Sequence, residues 1–173
     1  MVIKVYLLGE EFLTENDEQT KKLTKNAFGT EIKNQQIQLT IYEALFLLET
    51  EQIEILNQKN KKIIQEQLIK RGKKQAKQFL TNYAVYADLR SKNYIVKTAL
   101  KFGAPFRAYE KGSKLGESHS KWLVYPTREH DTITWHEFSA KNRIAHSTRK
   151  NLLIGVVDDE QSISYWEIKW VKS

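Results

Sequence analysis

Apolar and polar positions change period several times along this 173-residue chain. Residues 2–8 form a short apolar run of strand type, whereas residues 10–30 are polar and show no clear period. Residues 36–40 alternate, as a strand with one buried face does. Across LTIYEALFLLET (39–50) apolar residues recur at helical spacing, and Thr40 with Glu43 has the form of a capping box. A further strand is expected at 53–56. Residues 60–71 and 73–91 read as two helices broken at Gly72.

Near Tyr83 the character changes: the lysine- and glutamine-rich stretch 57–78 gives way to an aromatic-rich half. There the pattern predicts a helix to residue 92, strands at 94–100 and 106–111, and a flexible loop, GSKLGES. A strand at 121–125 follows, then a turn at Pro126 and a helix over 135–149. Two strands, 152–157 and 163–170, close the chain around DDEQS, which has hairpin-turn composition. The class expected is α+β. A small mixed α/β N-terminal domain (1–75) precedes a C-terminal domain (76–173), whose mixed, mostly antiparallel sheet is flanked by two helices.

Composition narrows the chemistry. With no cysteine, disulfides, thiolate zinc sites and cysteine nucleophiles are excluded, and a reducing, cytoplasmic setting is expected. No apolar run approaches the roughly 18 residues of a membrane span. The first residues, MVIKVYLLGEEF, lack the layout of a signal peptide and read as mature protein. Lys and Arg total 28 against 21 Asp and Glu, a net charge of +7, beside four Trp, eight Tyr and seven Phe. Such a chain suits RNA or DNA, because phosphates attract cations and bases stack on rings. Genome bias or growth temperature produces the same lysine content, so charge alone does not decide.

Of the four histidines, His119 stands out, at the end of the Gly/Ser loop just before a strand. Exposed loop residues beside a rigid sheet are good sites for proton transfer. His130 lies in a polar turn and His136 at a helix start, where surface roles suffice. Arg143, His146 and Lys150, spaced three and four apart, lie on one face of the expected helix. That face either binds phosphates or is a solvated basic face favoured by the helix dipole, and the second is the commoner case. Asp158, Asp159 and Glu160 form the one tight acidic cluster and read as a solvated turn, so no metal or cofactor is expected. Neither a GxxxxGK[ST] loop nor GxGxxG nor GxSxG occurs.

Four stretches carry a resemblance: VYADLRSKNYIVKTALKFGAPFRAYEKG, ESHSKWLV, NRIAHSTRKNLLIGVVDD and ISYWEIKW. In order and at natural spacing, they make the half of the chain from Tyr83 onward resemble the archaeal tRNA-intron (tRNA splicing) endonucleases. The N-terminal half matches mainly through LTIYEALFLLE. The resemblance implies a catalytic subunit that cuts precursor tRNA at bulge-helix-bulge motifs without metal, leaving 2′,3′-cyclic phosphate and 5′-hydroxyl ends. It places the general base at Tyr109 in the FRxY strand, the general acid at His119 in HSK, and the phosphorane-stabilising cation at Lys150. A base role for tyrosine asks for a neighbouring cation to favour the phenolate, and Lys150 is the candidate.

The same resemblance assigns Arg143 to a base-holding arginine pair. The second arginine has no match, and the region 165–167 offers an aromatic and an acid instead. Asp158, Asp159 and Glu160 fall where the family has an acidic docking loop, and ISYWEIKW where it has a dimer edge. A tetramer follows, either of four copies or of two copies with two non-catalytic homologous partners. Two other readings compete: a non-catalytic RNA-positioning subunit of the same assembly, and a basic RNA-binding module. The intact Tyr109, His119 and Lys150 set argues against the first, and the loop histidine against the second.

Overall fold

Strand β1 (Ile3–Leu8) buries Ile3, Val5 and Leu7 and exposes Lys4 and Leu8, the period of two that a sheet with one covered face imposes. It opens the first of two units, Met1–Leu80 and Thr81–Ser173, in a computed structural model that describes residues 2–15 and 17–171. The polar stretch without a clear period holds β2 (Glu11–Thr14), the short helix α1 (Lys21–Lys25) and β3 (Thr30–Glu31). Next come β4 (Ile37–Leu39), α2 (Ile41–Glu49), β5 (Ile53–Asn57) and β6 (Lys62–Ile63). The sheet order is β3-β4-β2-β1-β5-β6, with β1 and β5 parallel and the other pairs antiparallel.

The capping box read from Thr40 and Glu43 is present, and Glu43 does more than cap. Its carboxylate is buried, accepts the Thr40 N–H at 2.9 Å, and also accepts the Gly29 N–H at 2.9 Å. The helix start is thereby tied to a left-handed turn at Gly29, where an added Cβ would lie 2.2 Å from Ile37.

Two expectations in this region are corrected. Residues 60–63 are not helical: Asn57 accepts the N–H groups of Lys59 and Lys61, turning the chain so that Ile63 pairs with Ile55. Nor does a helix break at Gly72. Helix α3 (Gln65–Gln75) runs through it, and the chain breaks at Ala76, which is extended. Gly72 is buried, and a Cβ there would lie 2.3–2.4 Å from the ring of Phe79. Close packing, not chain reversal, requires this glycine.

Helix α4 (Phe79–Ser91) begins within the first unit, and from Thr81 the second unit joins its remainder to β7 (Ile95–Ala99), β8 (Ala104–Tyr109), β9 (Trp122–Arg128), α5 (Trp135–Ser147), β10 (Asn151–Val157) and β11 (Ile163–Ile168). Its sheet runs β11-β10-β9-β8-β7, antiparallel except for β9 and β10, which α5 connects. Helix α4 covers one face: Tyr86 packs on Phe106, and a Cβ at Gly155 would lie 3.0 Å from Val85. Helix α5 covers the other, where Ala145 joins Leu123, Tyr125 and Leu152 in one buried cluster. Coverage on both faces explains why β10 reads as an unbroken apolar run. This is the α+β class expected, with its mostly antiparallel sheet between two helices.

Pro126 is not in a turn. It lies inside β9, paired with Gly155 of β10 in a parallel ladder seven residues long. Strand β8 pairs with β9 only as far as Val124, so Pro126 sits where β9 has a single neighbour. Helix α5 starts on a second capping box, Thr134 with Glu137. It ends at Ser147, two residues short of the expected end. There Arg149 adopts φ +57°, and the Arg149 and Lys150 N–H groups bond back to His146 and Ala145 at 2.9 and 2.8 Å. These two bonds form a Schellman motif with arginine in the place usually held by glycine.

Candidate active site

Three backbone segments meet at one end of the second sheet. The Lys121 N–H donates to the Ala108 carbonyl at 2.9 Å, and the Asn151 N–H donates to the Lys121 carbonyl at 2.9 Å. Tyr109 follows Ala108, His119 precedes Lys121 by two residues, and Lys150 precedes Asn151. The end of β8, the exit of the loop before β9 and the start of β10 therefore bring the three sequence-selected residues to the same edge. Neighbouring strands lie about 4.8 Å apart, which separates the Tyr109 and Lys150 backbones by roughly 10 Å.

Register puts Tyr109 and Lys150 on the α5 face. Arg107 pairs with Leu123, which belongs to the α5 cluster, and Tyr109 is two residues on. Lys150 stands two before Leu152 of the same cluster. Tyr109 is buried, with 5% exposure, and the Arg107 guanidinium lies 5.8 Å from its ring centre. The Lys150 ammonium donates to the Thr148 carbonyl at 3.0 Å and sits 5.5 Å from the ring centre of Phe102. Burial, then the charges of Arg107 and Lys101, hold Lys150 below the usual lysine range. His119 is exposed at the exit of a loop turned by Gly112 and Gly116, both left-handed, and the next residue, Ser120, is buried. At this end of the sheet Tyr109 as a phenolate can abstract a proton, the half-buried Lys150 ammonium can stabilise an anion, and the exposed His119 as an imidazolium can deliver a proton.

Lys150 does not share a helix face with Arg143 and His146. The left-handed Arg149 ends α5 before Lys150, so the spacing argument holds for the other two only. Both are exposed on α5, and His146 stacks on Trp170 with ring centres 5.0 Å apart. Neither Tyr165 nor Glu167 is free to work with Arg143. The Tyr165 hydroxyl donates to Asp88 of α4 at 2.7 Å, and Glu167 accepts from Trp122 and Asn151. Tyr165 therefore points to the face opposite α5. Trp170, the last residue of ISYWEIKW and three residues past the region 165–167, is the aromatic that does meet α5.

The acidic hairpin joins the far ends of β10 and β11, across a strand of seven residues, or about 20 Å, from Lys150. Asp158 closes the turn by accepting the Ser162 N–H at 2.7 Å, while Asp159 and Glu160 are exposed. Folding also brings up a histidine that the sequence had kept apart: His130 lies 3.8 Å from Asp159, and Glu129 accepts the Asp159 N–H. Among the described residues, Glu129, His130 and Asp159 are close enough to hold a metal ion, but all three are exposed, as acidic groups without an ion commonly are. Sequence reasoning passed over Lys101, Phe102 and Arg107 at the site itself, although LKF and FRAY both lie inside the stretches it had singled out. No helix among the described residues is long and apolar enough to cross a membrane.

Residues 79–165 match the model of the tRNA intron endonuclease catalytic C-terminal domain, and residues 3–69 that of the N-terminal domain. Similar proteins include the tRNA-splicing endonuclease of Pyrococcus abyssi, 34% identical over 99% of this chain and 98% of that one. The tRNA-splicing endonuclease of Nanoarchaeum equitans is 39% identical over 84% of this chain and 96% of that one. A third, from Methanothermobacter thermautotrophicus, is 37% identical over 79% and 78%. The two domain models match in order and together cover most of the chain, so this chain belongs to the tRNA intron endonuclease family.

Proposed function

We propose that this chain is an endoribonuclease that removes introns from precursor tRNA by cutting at bulge-helix-bulge motifs. The observation that carries the reading is the convergence of Tyr109, His119 and Lys150 on one sheet edge from three separate segments. Relatives named tRNA-splicing endonucleases, aligned over nearly the whole chain, support it.

Tyr109, as its phenolate, takes the proton of the 2′-hydroxyl, and the freed oxygen attacks the adjacent phosphorus. The bond from phosphorus to the 5′-oxygen breaks, and His119 protonates that oxygen as it leaves. Lys150 offsets the charge that builds on the phosphorane. Atoms and protons balance with a base, an acid and a cation, and the products carry 2′,3′-cyclic phosphate and 5′-hydroxyl ends. Arg143 and His146, exposed on α5, hold RNA beside the site.

A substrate with two cut sites calls for two active sites, hence a symmetric assembly. Asp159 and Glu160 at the hairpin tip suit docking onto a basic surface of another chain. Strand β11, an edge with β10 as its one neighbour and Trp166 exposed at 63%, suits strand-to-strand association. Four copies, or two with two non-catalytic homologues, satisfy the same geometry.

Incubation of a bulge-helix-bulge RNA with the purified chain in excess EDTA tests the reading. Cleavage to cyclic-phosphate ends is expected, with a loss of about 10²–10⁴-fold in His119→Ala and a comparable loss in Tyr109→Phe. Full activity in His119→Ala, or linear 3′-phosphate as the first product, would overturn the assignment of roles.

A further inference from the structure

Three cations crowd the same edge. Lys101, in the tight turn Leu100–Phe102 between β7 and β8, holds its ammonium 5.0 Å from the ring centre of Phe102. The Lys150 ammonium lies 5.5 Å from that same ring. Arg107 points to this face from β8, and its Nε is buried with no hydrogen-bond acceptor. Among the described residues no carboxylate pairs with any of the three, whereas three other cations of this unit are matched: Lys121 with Glu110, Lys92 with Asp88, Lys169 with Glu167.

This arrangement costs stability. Like charges repel, and a buried N–H without an acceptor forfeits the hydrogen bonds it made in water. The face of Phe102 offsets only part of that cost. A tetrahedral oxyanion reduces both penalties at once: it offsets part of the cluster's charge and offers acceptors, two of them at the spacing of a guanidinium fork. The depressed proton affinity of Lys150, caused first by burial and then by Arg107 and Lys101, is the electrostatic trace of the same crowding.

We propose that Lys101 and Arg107 complete, with Lys150, a phosphate-binding cradle that seats a phosphodiester of the RNA backbone against Tyr109. The proposal deepens the nuclease reading and rests on it for the identity of the ligand. Arg107 binds the phosphate in a forked geometry while its guanidinium carbon stays 5.8 Å from the ring centre of Tyr109. Lys101 supplies a point charge from the neighbouring turn and adjusts to the phosphate without fixing its orientation.

Inorganic phosphate is the probe. Its affinity for the full-length chain is measured by titration calorimetry, and its inhibition of RNA cleavage by steady-state kinetics, for the wild type, Arg107→Gln, Arg107→Lys, Lys101→Gln and the control Lys92→Gln. Lys92 pairs with Asp88 and so tests charge removal away from the cradle. Phosphate is expected to compete with RNA. Arg107→Gln should weaken phosphate binding by about tenfold or more, and Lys101→Gln by several-fold. Arg107→Lys should restore only part of the loss, and Lys92→Gln should behave as wild type. Lys101→Gln alters an exposed turn residue, so it keeps the test open should Arg107→Gln fold poorly. Unchanged phosphate affinity in both Arg107→Gln and Lys101→Gln would overturn the cradle even if RNA is cut. A wild type that cuts no RNA, alone or with cell extract of its source added to supply a partner chain, yet binds phosphate through Arg107 and Lys101, would uphold the cradle and overturn the nuclease reading instead.

Discussion

Replacing Gly72 with alanine sets two opposing effects against each other, and the structure decides between them. Alanine in a helix interior is favoured over glycine by about 1 kcal/mol. Against that gain, a Cβ at position 72 would lie 2.3–2.4 Å from three ring atoms of Phe79, where ordinary contacts begin near 3.4 Å. The ring must retreat by about 1 Å, yet Phe79 is 1% exposed and stacked on Tyr42 with centres 5.0 Å apart. Overfilling a packed core in this way costs about 1–3 kcal/mol. The net expectation is a loss of about 1 kcal/mol, or a fall in melting temperature of about 2–4 °C for a chain of this length. Denaturant and thermal unfolding of the full chain measure it. Phe79→Leu supplies the matching control: in that background the obstruction shrinks, and Gly72→Ala should become neutral or stabilising. A melting temperature that rises when Gly72→Ala is made in the wild type would refute the packing argument.

Three further outcomes are expected. Arg149→Gly should stabilise the chain by about 0.5–1 kcal/mol in denaturant unfolding, because φ +57° strains arginine and not glycine; a loss would mean that the side chain itself contributes. Lys150→Met should abolish RNA cleavage while raising stability by about 0.5–1 kcal/mol at neutral pH. The folded state holds the Lys150 proton less tightly than the unfolded chain does. The penalty therefore acts below the depressed value and fades as pH rises toward the ordinary lysine range, so wild type and variant should converge in alkaline unfolding. Burial and the hydrogen bond to Asp88 push Tyr165 well above the ordinary tyrosine range. Its contribution is whole below about pH 10 and is lost above it, as the unfolded tyrosine ionises. Tyr165→Phe should cost about 1–2 kcal/mol near neutrality and remove that part of the alkaline slope.

Local patterns in the sequence sufficed wherever the cause of an element was itself local. Thr40 and Glu43 sit three residues apart, so their capping box could be read directly, although the equivalent box at Thr134 and Glu137 was passed over. The apolar run that became β10 and the acidic turn after it were legible for the same reason. The FRAY, HSK and HSTRK segments that carry Tyr109, His119 and Lys150 were singled out by the family resemblance and not by local pattern.

Tertiary structure decided whatever depends on a residue far along the chain. Gly72 and Pro126 both carry breaking signals, yet one is a contact surface for Phe79 and the other a rung of a parallel ladder with Gly155. Sequence spacing placed Lys150 on the helix with Arg143 and His146. The Schellman motif at Arg149 instead ends that helix and delivers Lys150 to the sheet edge near Arg107 and Tyr109. The orientation of Tyr165 toward Asp88, and the gathering of Lys101, Arg107 and Lys150, follow from strand register across four segments. Periodicity along a chain reports which side of an element is buried. Which distant atoms press against that side is set only when strands pair and helices pack across the sheet.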